Sequence, residues 1–364
     1  MVAVHQFVPT LAPRDAVSGH YLRVRTALRN AGYTSDIYAM ESRGEVAKEA
    51  KPYQTFSGGR AGEPTWLCYQ SSIGSPVAEF VAERPEPLIV DYHNITPAEF
   101  FERWERGVAV FLRAGRRQLR TLAPRSALGI ADSAYNAAEL DRLGYRPTGV
   151  VPILFDRDDL HTEIDTATRD RLESERREGS STWLFVGQVA PHKAQHDLVK
   201  ALAAYRRVYD PHARLRLVGF PLSRSYSEAL HGYVEDLGLA GAVDITGSVP
   251  DAVLGAYFAA SDVYVCLSEH EGFCVPLLEA MHHELPVVAY AAGAVPETLG
   301  DGGLLLKRKD PLTVATAVAR VVGADSAATR AAMTSAGRER LDHFSLARSE
   351  AALRDAIASV AGTP

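Results

Sequence analysis

The chain has 364 residues, 46% of them hydrophobic and 23% charged, the balance of a folded protein with a full core and room for about two domains. A net charge of −6 argues against a general nucleic-acid binder, and three scattered cysteines (Cys68, Cys266, Cys274) cannot staple a miniprotein or complete a four-ligand zinc site. The amino terminus lacks the basic flank and long apolar stretch of a signal peptide, and the most apolar run, 285–296, is shorter than the ~20 residues that span a bilayer, so a reduced, soluble, cytoplasmic protein is the simplest expectation.

Short β-branched runs predict strands at 3–8, 34–39, 66–69, 88–92, 128–131 and 149–153. Between them, helical spacing covers 19–31, 75–82, 98–122 and 134–143. The rhythm breaks over 155–181, which is polar and charged and reads as a linker with a surface helix. It restarts with strands at 183–186, 215–218, 243–245, 263–267, 287–289 and 304–306. Helices at 196–208, 225–237, 251–260, 276–283 and 311–322 separate them. Such alternation predicts parallel sheets covered on both faces, hence two α/β domains, 1–157 and 158–344. Two last helices, 327–343 and 347–360, fall outside the rhythm, and the segment 345–362 is expected to pack back on the first domain. Ligands bind beyond the carboxyl ends of such strands, so the expected site is a cleft between two facing domains.

Charge is unevenly spread. Residues 251–300 hold seven acids and no Lys or Arg, so an anion bound there needs backbone amides, a helix end or a cation from elsewhere. A strand at 263–267 feeds a polar loop, and Pro276 near the first position opens a helix whose unpaired N–H groups suit a phosphate. Glu271 in that loop and Glu279 in the helix are placed to accept hydrogen bonds from paired hydroxyls, as of a sugar or ribose. The plainer reading of each is a surface acid and a dipole-complementing acid.

The run EGFCVPLLEAM, then PVVA and GAVPE, resembles the donor-site signature of family 4 retaining glycosyltransferases of the GT-B fold. Cys274 stands where that pattern has a second glycine. LFVGQVAPHKAQHDLVK, 184–200, is similar to the family's first donor-domain strand and loop; Lys193 matches, whereas Gln188 replaces the usual Arg. A neutral amide cannot neutralise a leaving diphosphate, so either activity is reduced or another cation, Arg224 or Arg14, substitutes. In the first domain, PTLAPRDAVSGH resembles the loop that approaches donor and acceptor, and VDYHNITP presents His93 and Asn94 at a strand tip. Ser133, in ADS, also fits a plain helix cap.

The resemblance implies two Rossmann-like, doubly wound parallel-sheet domains facing each other across a cleft. It implies sugar transfer with retention from a nucleoside-diphosphate sugar, the donor substrate, to a hydroxyl acceptor, with no metal and no cofactor. Glu271, Lys193 and His93 are the implied catalytic residues. Donor binding falls to Gly187, Gln188, Ser248, Val249, Gly272, Phe273, Cys274, Val275, Leu278, Glu279 and Gly19, and the acceptor side to Asp15, Ser18, His20 and Asn94. A catalytically weak or inactive nucleotide-sugar-binding homologue, acting as sensor or partner subunit, is the alternative.

Other constellations are weaker. His192 and His196 stand at helical spacing but lack a third metal ligand; His282 and His283 read as packing or surface residues. Asp156-Arg157-Asp158 formally fits a metal-binding Asp-x-Asp, yet it opens the charged linker. The arginines of 98–122, beside Phe100, Phe101, Trp104 and Phe111, favour a solvated helix face, with weak peripheral contact to an anionic membrane as the alternative. No G-x-G-x-x-G follows the first strand, against a dinucleotide dehydrogenase.

Overall fold

A computed structural model describes residues 2–13, 16–60 and 62–364, and the chain forms two compact units. The first comprises residues 1–102, 106–155 and 344–364; the second comprises 103–105 and 156–343.

In the first unit, β1 (Ala3–Leu11), β2 (Ile37–Ser42), β3 (Ala50–Pro52), β4 (Thr65–Ser71), β5 (Leu88–Tyr92), β6 (Ser126–Ala131) and β7 (Thr148–Val150) form one sheet. Its order is β3-β2-β1-β4-β5-β6-β7, and every pairing is parallel. Parallel neighbours require crossovers, which α1 (Ala16–Asn30), α2 (Pro76–Glu83), α3 (Arg106–Leu122) and α4 (Ala134–Arg142) supply. A sheet covered on both faces demands unbroken apolar strands, and β5 is buried along its whole length. Ser75 and Ser133 cap α2 and α4 through side-chain bonds from Val77 N and Asn136 N.

The second unit opens with α5 (Thr166–Ser174), then β8 (Thr182–Val186), α6 (Gln195–Val208), β9 (Arg214–Val218), α7 (Arg224–Asp236) and β10 (Val243–Gly247). It continues through α8 (Asp251–Ala259), β11 (Val263–Cys266), α9 (Val275–His282), β12 (Val287–Tyr290), α10 (Val295–Leu299), β13 (Leu304–Leu306), α11 (Pro311–Val322) and α12 (Ala327–His343). The strands lie in the order β10-β9-β8-β11-β12-β13, again all parallel. Both sheets are thus doubly wound, and each reverses its order once, between β1 and β4 and between β8 and β11. The chain then returns to the first unit: α13 (Leu346–Ala361) packs on α1, and its Leu353 and Ile357 join Val24, Leu28 and Ile89 in one apolar cluster.

Two departures from the sequence pattern have identifiable causes. The helix expected over 98–122 is a short 3-10 turn, Ala98–Phe100, followed by α3 from Arg106. The intervening 103–105 belongs to the second unit, where the Trp104 carbonyl accepts from Ser225 Oγ at 2.6 Å and Glu105 accepts from Ser223 Oγ at 3.1 Å. β3 was not anticipated, because a three-residue edge strand with two exposed positions carries no apolar run. The charged linker carries the expected surface helix, α5, which buries one side chain, Leu172.

Candidate functional site

The point where the second sheet reverses its order is a natural site, because loops leaving neighbouring strands part there and open a crevice. β8 and β11 are those neighbours. Past β8 the chain runs through Gly187 and the exposed Gln188 into a 3-10 turn, Pro191–Lys193, before α6. Past β11 it runs through Glu271 to Cys274, which caps α9 with φ +74°, a left-handed conformation that a glycine would adopt without strain.

The two loops are stitched together. Glu269 N donates to His192 O at 2.8 Å, and Lys193 Nζ lies 2.7 Å from each carboxylate oxygen of Glu271. Burial alone would lower the Lys193 pKa, but the Glu271 carboxylate outweighs it and holds the ammonium above its ordinary value. Lys309, which the sequence pattern did not single out, braces the same loop from the far side through Asp197 at 2.6 Å and Glu269 at 2.7 Å.

Glu271 is also held through its backbone. Ala294 N donates to its carbonyl at 2.9 Å, and Gly293, at φ +56°, lies so close that a Cβ there would come within 2.3 Å of that oxygen. Thr298 Oγ1 donates to the Phe273 carbonyl at 2.5 Å. GAVPE is therefore a brace for the Glu271 loop, a role that a glycine in a turn-rich segment does not announce. Gly219 has a like function next door, since a Cβ on it would meet the Gly187 carbonyl at 2.0 Å.

Glu279 sits half-buried within α9. Burial, then the neighbouring Asp251, pushes its pKa up to about 7. Ser248 and Val249 follow the carboxyl end of β10, the first exposed and the second half-buried. Phe273 and Cys274 turn buried side chains inward, so the loop offers its backbone, while Val275 is half-buried at the first turn of α9. Leu278 is fully enclosed and supports α9 from within rather than lining the site.

In the first unit, Ser18, Gly19 and His20 all lie inside α1, which starts three residues earlier than the pattern suggested. Ser18 Oγ accepts from Ala12 N at 3.0 Å. Asp15 and Arg14 lie outside the described residues. His93 and Asn94 follow β5. The His93 ring is enclosed, with Nδ1 at 2.9 and 3.1 Å from the Asp132 carboxylate and Nε2 against Gln70 Oε1. Asn94 adopts φ +62° and is half-buried at the strand tip. Arg116 donates to the carbonyl of Ile95, and Ile95 N donates to Tyr92 Oη at 3.0 Å, so the chain after Asn94 is pinned.

Several sequence-level constellations resolve into structure. His192 lies in the 3-10 turn and His196 in α6, so they do not share a helix face. Burial, then Lys193, drives His192 well below its ordinary pKa. His283 stacks on Phe258 and accepts or donates to His161 at 2.8 Å, a packing role. Asp156 caps a turn by accepting from Asp158 N at 3.1 Å. Arg224 is exposed and paired with Glu228. Among the described residues, two groups bring potential metal-ligating atoms within 4.8 Å: Cys266, Glu271 and Cys274, and His20, Asp91 and His93. The first already holds the Lys193 ammonium. In the second, His20 Nδ1 accepts from Leu154 N at 3.0 Å, which leaves Nε2 carrying a proton rather than a lone pair.

Similarity to known proteins follows the same division. Residues 167–340 match the family described as glycosyl transferases group 1. A GDP-mannose-dependent alpha-(1-6)-phosphatidylinositol monomannoside mannosyltransferase of Mycobacterium tuberculosis is 34% identical over 208 residues, 54% of this chain and 50% of that one. A D-inositol 3-phosphate glycosyltransferase of Thermomonospora curvata is 31% identical over 221 residues, 57% of this chain and 51% of the relative. The chain spans about half the length of these curated relatives. In fold, HepE of Anabaena in complex with UDP-glucose superposes with a TM-score of 0.76 at 18% identity, covering 98% of this chain and 99% of that one. Sucrose-phosphate synthase of Thermosynechococcus elongatus gives 0.73 at 18% identity over 96% of both. With two parallel-sheet α/β units of seven and six strands, the chain has the GT-B fold class, and its residues 167–340 are similar to glycosyl transferases group 1.

Proposed function

We propose that the protein is a retaining glycosyltransferase that moves a sugar from a nucleoside-diphosphate sugar to a hydroxyl acceptor without a metal ion. The observation that carries this reading is the Lys193–Glu271 pair at the reversal point of the second sheet, beside the amino end of α9. Charge grows on the departing diphosphate as the glycosidic bond breaks, and Lys193 with the positive dipole end of α9 stabilises it. Glu271, with the Gly272–Cys274 backbone, orients the donor sugar, and Glu279 accepts from the ribose hydroxyls. The departing phosphate oxygen takes the acceptor proton on the face that it leaves, so no protein nucleophile is needed.

The test is a thermal-shift screen against UDP, GDP, ADP and TDP, followed by turnover with the matching sugars in chelator. A nucleotide that binds raises the melting temperature by mass action, and the anomeric configuration of the product reads the stereochemistry. An inverted product or strict manganese dependence would overturn this mechanism. The exposed, neutral Gln188 favours one second reading, a nucleotide-sugar sensor, for which tight binding without turnover is the signature.

We also propose that α3 rests on an anionic lipid surface. Among the described residues, no helix is long and apolar enough to cross a membrane. Within α3, five arginines stand without a single acid, and Val110 and Phe111 are 57% and 55% exposed. Arg113 and Arg116 are paired with Glu102 and Glu139, but Arg106, Arg117 and Arg120 have no acidic partner among the described residues. Apolar tips beside unpaired guanidinium groups match the boundary between headgroups and acyl chains.

A further inference from the structure

The strand tips of the first unit gather polar side chains for which the transfer mechanism has no stated step, although the resemblance places His93 among the catalytic residues. Gln6 on β1, Gln70 on β4, Asp91 on β5, His93 just beyond it, and Asp132 beyond β6 are all buried, with His20 facing them from α1. Buried polar groups must find partners, and here the direction of each bond can be traced from one end.

The carbonyl of Tyr21 only accepts, so Gln6 must turn its amide nitrogen toward it, at 2.9 Å. Gln6 Oε1 is then the acceptor for Gln70 Nε2, at 3.2 Å. That leaves Gln70 Oε1, another acceptor, against His93 Nε2. On the other side of the ring, Nδ1 faces both oxygens of Asp132 at 2.9 and 3.1 Å. Flipping either glutamine only moves the conflict, setting oxygen against oxygen at Gln6 or at Tyr21. Both ring nitrogens face acceptors, and a neutral imidazole has one N–H to give.

We propose that His93 is held as an imidazolium, a fixed buried cation, and that it serves as a positioning residue for the strand-tip loop that presents Asn94. The surrounding charges suit this. Asp91 Oδ2 lies 3.6 Å from His93 Nε2 and 3.6 Å from His20 Nε2. His20 is bound through Nδ1 to Leu154 N and turns its N–H toward the same carboxylate. Tyr21 sets the edge of its ring against His93, with ring centroids 5.5 Å apart. Burial alone would raise the Asp91 pKa, but His93 and His20 overcome it and hold the carboxyl below its usual range. Asp132 is raised by burial, which His93 partly offsets. The competing arrangement puts the proton on Asp132 and leaves the ring neutral. Imidazole is the stronger base by roughly two and a half units, and a second carboxylate, that of Asp91, adds to that preference.

A buried cation between two carboxylates fixes the direction in which the chain leaves β5. His93 N donates to Ser71 O at 2.9 Å, and the next residue, Asn94, takes its left-handed conformation with both flanks pinned. The part played in transfer rests on the glycosyltransferase reading, whereas the charge state does not.

The test uses the full, ligand-free chain labelled with nitrogen-15. Long-range proton–nitrogen spectra are recorded from about pH 6 to about pH 9, the range in which an ordinary histidine loses its proton. The His93 signals are assigned by their absence in His93→Gln or, should that variant not fold, by their displacement in Asp132→Asn. Both nitrogens should stay in the protonated range throughout. A nitrogen in the unprotonated range near neutral pH overturns the proposal, whether the proton sits on Asp132 or is absent. In Asp132→Asn the ring loses one of its two carboxylates, and its titration should fall by about one unit or more, into the observable window. Where turnover is measurable, that variant should gain a pH limb in kcat/KM that the parent lacks; an unchanged profile removes the positioning role while leaving the donor site untouched.

Discussion

Both carboxylate oxygens of Glu271 lie 2.7 Å from Lys193 Nζ, joining the loops that leave β8 and β11. Neither side chain is more than 18% exposed, so removing one partner strands a largely desolvated charge. Lys193→Ala should cost about 3 kcal/mol of stability for that reason. It should also lower kcat by about 100-fold, because the lost ammonium acts on charge that develops in the transition state. Chemical denaturation and steady-state kinetics separate the two effects; an unaltered kcat takes Lys193 out of the mechanism.

Gly293→Ala tests the brace. The new methyl group would press on the Glu271 carbonyl from a left-handed backbone position, which costs about 2 kcal/mol. The fold should survive by circular dichroism while kcat falls with Glu271 displaced. Full activity in a folded variant would show that the position of Glu271 does not matter.

Nucleotide affinity should depend on pH through Glu279. Only the ionised carboxylate accepts hydrogen bonds from two vicinal hydroxyls, and its pKa is about 7. Calorimetric affinity should therefore rise as pH climbs through about 7, and Glu279→Gln should flatten the profile at the weaker level. Folding stability moves the other way. The folded value lies above the ordinary 4.5, so ionisation between 4.5 and about 7 works against the folded chain, and stability declines across that window.

Gln188→Arg distinguishes an enzyme short of one cation from a sensor. Residue 188 is exposed beside the Lys193 turn, so the longer side chain has room. A charge-assisted contact to the diphosphate should raise kcat about ten-fold in an enzyme. Tighter nucleotide binding with no gain in turnover would favour the sensor.

Flotation with vesicles tests α3. Binding to phosphatidylglycerol vesicles should be salt-sensitive, absent with phosphatidylcholine alone, and lost when Arg106, Arg117 and Arg120 become glutamate. Equal binding by that variant would remove the lipid reading.

Much of this architecture can be read locally. β5 and α11 fall on the residues that the pattern predicts, because a buried β-branched run and a capped amphipathic stretch carry their own signal. Where tertiary contacts decide, the pattern misleads: the apolar spacing of Phe100, Phe101 and Trp104 suggested one helix, but Trp104 and Glu105 are engaged by Ser225. The candidate site divides in the same way. Lys193 and Glu271 lie in contiguous motifs, though only the fold shows them 2.7 Å apart. Gln6, Gln70 and Asp132 have no local signature at all, since their meaning lies in partners up to 64 residues away. Gly293 could be seen as a turn residue but not as the neighbour of Glu271.

The return of α13 bears on how the polypeptide is made. Leu353 and Ile357 are interior residues of the first unit, and the Tyr33 hydroxyl donates to the carbonyl of Gly362 at 2.7 Å. Residues 156–343 are translated in between, so the earlier-made half stays an open sheet with one flank uncovered while the later-made half completes itself. Released chains truncated before residue 346 should thus carry a protease-resistant second unit and a cleavable first, a reversal of the usual order of maturation.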